Sequence, residues 1–233
     1  MKHLITCIVL IIIHLELSSQ EWVISDDLNR IEHHLRTERS ITENKNIAGT
    51  PYFNDEFVKG SIVTTDSLMY RDIPLRYNIY TDEMEFAGPG QQPRIIGNPR
   101  NFLFFSIEGR TFTYFTFTEN NRPEQGYFEV LNNGNCLVLI RRQVVFAQRE
   151  EAKGYSDARP ARFENRPDQY YLKFDNKLPV EVRLRQRAIL AAFDYRRHEI
   201  ADFIKERKIS FRSVDDLVEV AGYYHLLVTG SGK

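Results

Sequence analysis

The sequence contains few cysteines, and their number excludes a disulfide framework. Only Cys7 and Cys136 are present among 233 residues. Cys7 lies in an N-terminal apolar run that we interpret below as a cleaved export signal, so cleavage leaves Cys136 alone. One cysteine cannot form an internal disulfide, and the stability of the folded chain must therefore come from its core. Cys136 begins an apolar strand pattern, where a buried and unreactive thiol is expected.

The motifs that many enzymes need are also missing. Six histidines occur, and none belongs to a His-Glu-x-x-His metal motif. The sequence has neither a Gly-x-Ser-x-Gly elbow nor a phosphate-binding Gly-Lys-Ser/Thr loop. Asp82, Glu83 and Glu85 could serve acid–base chemistry, but their place at a hairpin turn favours solvation. The sequence therefore predicts no catalytic residue, no metal site and no cofactor.

The net charge is small, −1, but the charges are unevenly distributed. Residues 20–140 carry 17 acidic and 11 basic side chains, whereas residues 141–212 carry 18 basic and 11 acidic ones. Such polarity can guide a partner or let the two halves dock on each other, although scattered surface charge is the simpler interpretation. Acidic residues interspersed among the arginines argue against nucleic-acid binding.

Residues 1–20 have the layout of a secretory signal peptide. Lys2-His3 precede the apolar run Leu4–Ile13, and Ser18-Ser19 offer a cleavage point. The run is about half of the roughly 20 residues that span a bilayer, so a transmembrane anchor is the weaker alternative. We expect an exported chain in the periplasm or at the envelope, with no transmembrane span after cleavage.

Residues 21–50 are polar, and we assign them to a short helix and a linker. Ser25 is a suitable N-cap for a helix that continues to Glu38 with an apolar edge. The stretch from Thr42 to Thr50 has little apolar surface to bury, which is typical of a linker.

Residues 51–182 show the hairpin patterns of an antiparallel β domain. Apolar and polar residues alternate over Ile73–Tyr80, and Thr81-Asp82 supplies a tight turn into the strand Glu83–Phe86. Glu108-Gly109 and Asn132–Asn135 are further turn signals. Gly and Pro residues predict a break at 88–93 and a loop at 148–167.

The predicted fold class is α+β. Short hairpins give an antiparallel meander of roughly seven to nine strands, followed by a small C-terminal helical unit at residues 183–233. An open sheet, a sandwich and a partial barrel are all compatible with the strand pattern.

The C-terminal unit carries arginines that are candidate docking residues. Apolar residues recur at helical spacing over three segments, which predicts three helices that pack together or on the sheet. The candidate docking residues are Arg183, Arg185, Arg187, Arg196 and Arg197. A solvated helix face is the alternative for the first three.

Aromatic residues crowd the hairpin at 102–118. A hairpin that is apolar on both faces is either buried on both sides or lines a cavity or an interface. The candidate ligand-facing residues are Phe105, Phe112, Tyr114, Phe115 and Phe117. Ordinary core packing is the alternative for all five.

Three segments resemble a known family. The pattern Pro-Tyr-x-Asn-Asp-x-Phe-x-x-Gly at Pro51–Gly60, the segment Pro74–Phe86, and Phe203-Ile204-Lys205 with Leu217 and Tyr223-Tyr224 are similar to an uncharacterised family of exported proteins from Bacteroidetes-type bacteria. The resemblance spans most of residues 50–228. It implies a bacterial envelope setting and brings no established activity or binding residues with it.

These observations lead to three functional hypotheses. The first is an exported, non-catalytic envelope binding or adaptor protein whose sheet is a scaffold and whose helical unit docks on an unknown envelope partner. The second is a carrier of a lipid or another apolar ligand inside a half-barrel. A hydrolase is the third and has the least support.

Overall fold

A computed structural model describes residues 35–36, 47–88, 90, 92–152 and 157–230. The predicted signal peptide at 1–20 lies outside the described residues, as does most of the predicted helix and linker at 21–50. The exceptions are residues 47–50 and Leu35–Arg36, and the latter form a short strand in place of the predicted helix.

Antiparallel strands and three helices make up the described part of the chain. The strands are β1 (Leu35–Arg36), β2 (Val58–Thr64), β3 (Met69–Asn78), β4 (Glu83–Ala87), β5 (Pro93–Ile96), β6 (Phe102–Ile107), β7 (Arg110–Glu119), β8 (Arg122–Val130), β9 (Cys136–Ala147), β10 (Arg162–Phe174) and β11 (Val180–Val182). The helices are α1 (Gln186–Ala192), α2 (Arg197–Arg207) and α3 (Val214–Gly230). A strand-rich region followed by helices confirms the predicted α+β class.

The strands form one open sheet in the order β1-β5-β4-β3-β2-β6-β7-β8-β9-β10-β11. Each strand pairs antiparallel with its neighbours, as expected for strands joined by short hairpins. The sequence was compatible with an open sheet, a sandwich or a partial barrel, and the structure has the open sheet.

Residues that tolerate a left-handed backbone make the tight turns. Glu108 and Gly109 have φ values of 50° and 76°, as the predicted β6–β7 turn requires. Asn120 and Asn121, at 49° and 60°, make a second such turn between β7 and β8. Because this turn takes two residues, β8 begins directly after it, at Arg122.

Two strands that were not predicted begin at the end of one predicted break and within the predicted loop. Residues 93–96 form β5 against β4, and Pro93 starts the strand, where proline is tolerated. Residues 162–166 form the first half of β10 against the end of β9, within the predicted loop. A register shift between Arg166 and Gln169 accommodates Pro167 in the middle of the strand.

The face of the sheet that carries Tyr77, Phe112 and Val138 is called the front face below. Over β2–β8 this face curls on itself, and the Tyr77 ring of β3 lies 5.6 Å from the Tyr127 ring of β8. Three strands lie between β3 and β8 in the sheet order, so the contact requires strong curvature. Tyr77, Phe112 and Tyr127 belong to the apolar cluster that fills the curl.

The helical unit covers the other end of the front face. Ile189, Phe193, Ile200 and Leu217 are fully buried there, against side chains of β9–β11 that include Val138. The three predicted helices are confirmed. The residue before α2 is Arg196, and Asp194, two residues earlier, pairs with Lys177 at 2.8 Å.

Strands β8 and β9 part from each other after a short paired stretch. They pair at Glu129↔Ile140 and Val130↔Leu139; beyond these pairs β8 follows β7 while β9 follows β10. The turn between β3 and β4, residues 79–82, lies next to the opening. Tyr80 of this turn packs its ring 5.3 Å from the ring of Phe163 on β10.

Candidate functional site

A cavity of about 330 Å³ lies beside the β3–β4 turn. The turn, the end of β5 with the residues after it, and one tyrosine from each of β7 and β8 form its walls. The lining residues are Thr81, Asp82, Glu83, Met84, Ile95, Ile96, Gly97, Asn98, Pro99, Tyr114 and Tyr127. The cavity therefore opens where the curled sheet brings β4, β5, β7 and β8 together.

Asp82 fastens the β3–β4 turn to β8. Its backbone has a left-handed φ of 56°, which Asp tolerates better than most residues. The carboxylate accepts hydrogen bonds from the Tyr77 hydroxyl at 2.7 Å and from the Tyr127 backbone N–H at 3.2 Å. The Asp82 side chain thus satisfies a backbone donor of β8 at the point where β9 has turned away.

The environment of Asp82 opposes its ionised form. Burial raises the pKa of the Asp82 carboxyl, while its hydrogen bonds from Tyr77 and Tyr127 and the charge of Arg141 act in the opposite direction. The Arg141 guanidinium is 4.0 Å from the carboxylate and also 3.7 Å from that of Glu119. One cation is therefore shared between two carboxylates at long distances.

Tyr77 is held in its neutral form. Burial is the main cause that raises the pKa of the Tyr77 phenol well above its ordinary value, and the charge of Asp82 adds to it. A neutral phenol is a donor, which matches its hydrogen bond to the Asp82 carboxylate.

Tyr127 has a buried hydroxyl without a partner. Its side chain is 2% exposed, and no residue in the described ranges forms a hydrogen bond with the hydroxyl. Burial is the main cause that raises the pKa of the Tyr127 phenol well above its ordinary value, and the charges of Asp82, Tyr114 and Glu83 raise it further. These three residues also line the cavity. An unsatisfied buried hydroxyl costs about 1–3 kcal/mol.

Tyr114 places a second phenol at the cavity. Its ring meets the Tyr127 ring edge to face at 4.9 Å. Burial raises the pKa of the Tyr114 phenol, with a contribution from Asp82, while the charge of Arg100 lowers it. The cavity thus combines two carboxylates, two phenols and apolar walls, which are the features of a small-molecule site.

The structure distributes the five predicted ligand-facing rings over three environments. Phe105 and Phe112 are buried in the cluster inside the curl, and Phe117 is buried on the opposite face of the sheet. Phe115 is half-buried on that opposite face, with the Lys173 ammonium 5.4 Å from its ring. Tyr114 lines the cavity.

The five predicted docking arginines also differ. Arg183, Arg185 and Arg187 are exposed before and within α1. Arg196 pairs with Glu199 at 2.8 Å, and Arg197 donates to the Phe193 and Ala191 carbonyls, where it closes the end of α1. Arg187 and Arg197 line an open groove of about 580 Å³ together with Gln186, Leu190 and Ala191.

The interpretation of the hairpin carboxylates as solvated is wrong for Glu85 and Asp82. Glu85 is buried and pairs with Arg76 at 2.7 Å, and Arg76 in turn stacks over Tyr52. Alternation along β4 explains the difference, because Glu85 points to a face that the residues before β2 cover. A second buried carboxylate, Glu129, is similarly paired with Arg110 and Arg142.

The one cysteine in the described residues, Cys136, is buried. Burial raises the pKa of the Cys136 thiol to about 12, so the thiolate needed for nucleophilic attack is not formed near neutral pH. Within the same ranges, no group of three His, Cys, Asp or Glu side chains is placed to hold a metal ion.

Sequence reasoning did not find the pairing of Asp82 with Tyr127. The two residues are 45 positions apart, and Tyr127 looks like any apolar strand residue in the sequence. The turn signal at Thr81-Asp82 was readable, but the contact that makes Asp82 important depends on the curl of the sheet.

Comparisons with protein-family models, with curated proteins and with solved structures found no match for this chain. Along the part of the chain that the structure describes, no helix is both long and apolar enough to cross a membrane.

Proposed function

We propose that this chain is an exported, non-catalytic binding protein that holds a small ligand in the cavity beside the β3–β4 turn. The observation that carries the proposal is a cavity with mixed polar and apolar walls, which is lined by Tyr127, a residue whose buried hydroxyl has no partner in the described chain. Ligand sites are mostly apolar concavities with a few convergent polar groups. The signal-peptide pattern at residues 1–20 supports export.

The size of the cavity favours a small molecule over a long-chain lipid. Ligand sites usually measure roughly 300–1,000 Å³, and about 330 Å³ is near the lower limit. The rings that supported a lipid carrier, Phe105, Phe112 and Phe117, pack against other side chains of the core. We therefore narrow the carrier hypothesis to a compact ligand.

Native mass spectrometry of the chain, purified gently from its own cells, tests the proposal. We expect an additional mass the size of a small organic molecule. Thr81→Trp should remove it, because Thr81 is exposed at the cavity and an indole there would fill the space. Thr229→Trp, an equally exposed site at the end of α3, should keep it. An adduct that survives Thr81→Trp, or no adduct at all, would contradict the proposal.

A second candidate function is docking of an envelope protein on the helical unit. It is favoured by the exposed Arg183 and Arg185, which follow the edge strand β11. Leu178 before this strand and Val180 within it are also exposed. An edge strand offers unpaired backbone groups to an extended partner. Cross-linking in the envelope with Arg183→Glu and Arg185→Glu would test it, since a partner bound here should be lost from the double variant.

A further inference from the structure

We infer that the ligand is a small organic ammonium ion with a compact apolar body. The inference rests on the proposed function, because it names the ligand class of the same cavity. It comes from the charge of the walls, the aromatic rings and the apolar surface, which are considered in turn.

The charge of the lining is negative. Asp82 and Glu83 are acidic, and no basic residue is among the residues that line the cavity. The guanidinium closest to Asp82, that of Arg141, is 4.0 Å away and is shared with Glu119. Arg100 lies near Tyr114 and is exposed. A carboxylate-lined cavity attracts a cation and repels an anion.

The aromatic residues suit a cation as well. The faces of tyrosine rings attract ammonium groups, and Tyr114 and Tyr127 meet at the cavity with an interplanar angle of 67°. Elsewhere in the chain arginines occupy ring faces, as Arg76 does over Tyr52 at 3.7 Å. In the described residues no arginine or lysine lies over the Tyr114 or Tyr127 ring.

The hydroxyl of Tyr127 adds a directional contact. An ammonium group donates up to three hydrogen bonds and accepts none. The phenol oxygen of Tyr127 can accept one of them, and the Glu83 carboxylate another. The hydroxyl that has no partner in the described chain thereby gains one, and the charge of the ligand is balanced next to two carboxylates.

The other walls define the body of the ligand. Met84, Ile95, Ile96 and Pro99 give an apolar surface around the polar groups. A short hydrocarbon chain or one ring fits a space of about 330 Å³, and its burial is favourable. A primary amine with one such group therefore matches the size, the charge and the polarity of the cavity.

Calorimetric titration with benzylamine, benzyl alcohol and benzoate tests the ligand class, because the three probes share a ring and differ in charge. We expect benzylamine to bind, benzyl alcohol to bind about tenfold more weakly and benzoate to give no heat of binding. Thr81→Trp should abolish the benzylamine signal, and Thr229→Trp should retain it.

Two charge variants test the electrostatic basis. Glu83→Gln should weaken benzylamine binding about tenfold, and Arg100→Gln should strengthen it about two- to threefold. Unfolding temperatures of both variants serve as the control for folding. An unchanged affinity in Glu83→Gln would overturn the inference.

The outcomes separate this inference from the proposed function. If benzyl alcohol or benzoate binds at least as well as benzylamine and Thr81→Trp blocks it, the ammonium class is wrong and the cavity is still a ligand site. If none of the three probes binds, the ammonium inference is overturned, and the native mass spectrum decides separately whether the cavity holds another ligand.

Discussion

The two ends of the front face are closed in different ways. Over β9–β11, three separate helices cover the sheet, and the cluster beneath them is apolar, with Phe193 and Leu217 fully buried. Over β2–β8 the sheet covers itself by curling. There an apolar cluster fills the curl, a polar contact of Asp82 with Tyr127 joins the β3–β4 turn to β8, and a cavity lies beside this contact.

The difference has a physical origin. A helix can shift along a sheet until its side chains fill the space, which gives dense packing. Strand pairing limits how far a sheet can curl. Where two strands separate, their unpaired backbone groups must therefore be satisfied by other parts of the chain. Here β8 and β9 part, and a side chain from a turn satisfies the exposed donor. We therefore expect stability to come mainly from the helical end, and the binding that we propose to take place at the curled end.

The largest expected effect is on the helical end. Phe193→Ala removes a fully buried ring that contacts Phe174 at 5.1 Å and Tyr224 at 5.2 Å. We expect a loss of about 3–5 kcal/mol in the free energy of unfolding, measured by urea denaturation with circular dichroism. Tyr195→Ala, at a site 54% exposed, should change it by less than about 0.5 kcal/mol. Equal losses in the free energy of unfolding of the two variants would contradict dense packing beneath the three helices.

A smaller effect is expected between the two ends, at Glu129. Its carboxylate is 3% exposed and pairs with Arg110 at 2.6 Å and with Arg142 at 2.5 Å. Removing one partner of a fully buried pair costs about 3–5 kcal/mol, but Arg110 is 49% exposed and water compensates it in part. We expect Glu129→Gln to lower the free energy of unfolding by about 2 kcal/mol.

The matched control for Glu129 is Glu151→Gln. Glu151 pairs with Arg149 at 3.0 Å, and both side chains are more than two-thirds exposed. Such a pair contributes at most a fraction of a kcal/mol, so the control should unfold at the same urea concentration as the unaltered chain. If both variants are neutral, burial of the Glu129 pair does not stabilise the fold.

The smallest expected effect is on the pH dependence of the free energy of unfolding, which should differ between a carboxylate at the curled end and one at the helical end. The pKa of Asp82 is raised by burial, so its contribution to stability is present below pH 3.8 and is lost as the pH rises through its higher folded value. Asp82→Asn keeps the acceptor oxygen and cannot titrate. Relative to the unaltered chain, this variant should become more stable as the pH rises from 3.8 towards neutrality.

Asp194 in the helical unit should behave in the opposite way. The hydrogen bond from Lys177 lowers the pKa of the Asp194 carboxyl, so its contribution is present above pH 3.8 and is lost as the pH falls. Asp194→Asn should therefore become relatively less stable as the pH rises. Unfolding curves of both variants at several pH values give the two slopes, and slopes of the same sign would contradict the electrostatic difference between the ends.

Local signals in the sequence were enough to predict most elements. The turn at Glu108-Gly109, the alternation in β3 and the apolar spacing of the three helices all depend on near neighbours. Strand β5 and the first half of β10 were missed because Pro93 and Pro167 resemble loop residues in the sequence. Both are accommodated, one at a strand start and the other at a register shift.

The candidate site was less accessible from the sequence. Tyr114 was named among the ligand-facing rings, but Tyr127 was not, since nothing in its sequence neighbourhood separates a cavity residue from a core residue. The place of Tyr114 and Tyr127 at the cavity depends on the contact of Asp82 with β8. This contact forms because the sheet curls, which brings β3 and β8 together although three strands lie between them. Patterns of near neighbours do not report such long-range contacts.

Tyrosine-selective NMR tests the central assignment, which is that the curled end binds ligand and the helical end does not. Ring signals of Tyr114 and Tyr127 are assigned with Tyr114→Phe and Tyr127→Phe, and the three benzyl probes are added in turn. Our account predicts that at least one probe shifts these two signals and leaves the buried Tyr224 of the helical unit unchanged. A shift of Tyr224 in place of Tyr114 and Tyr127 would contradict it.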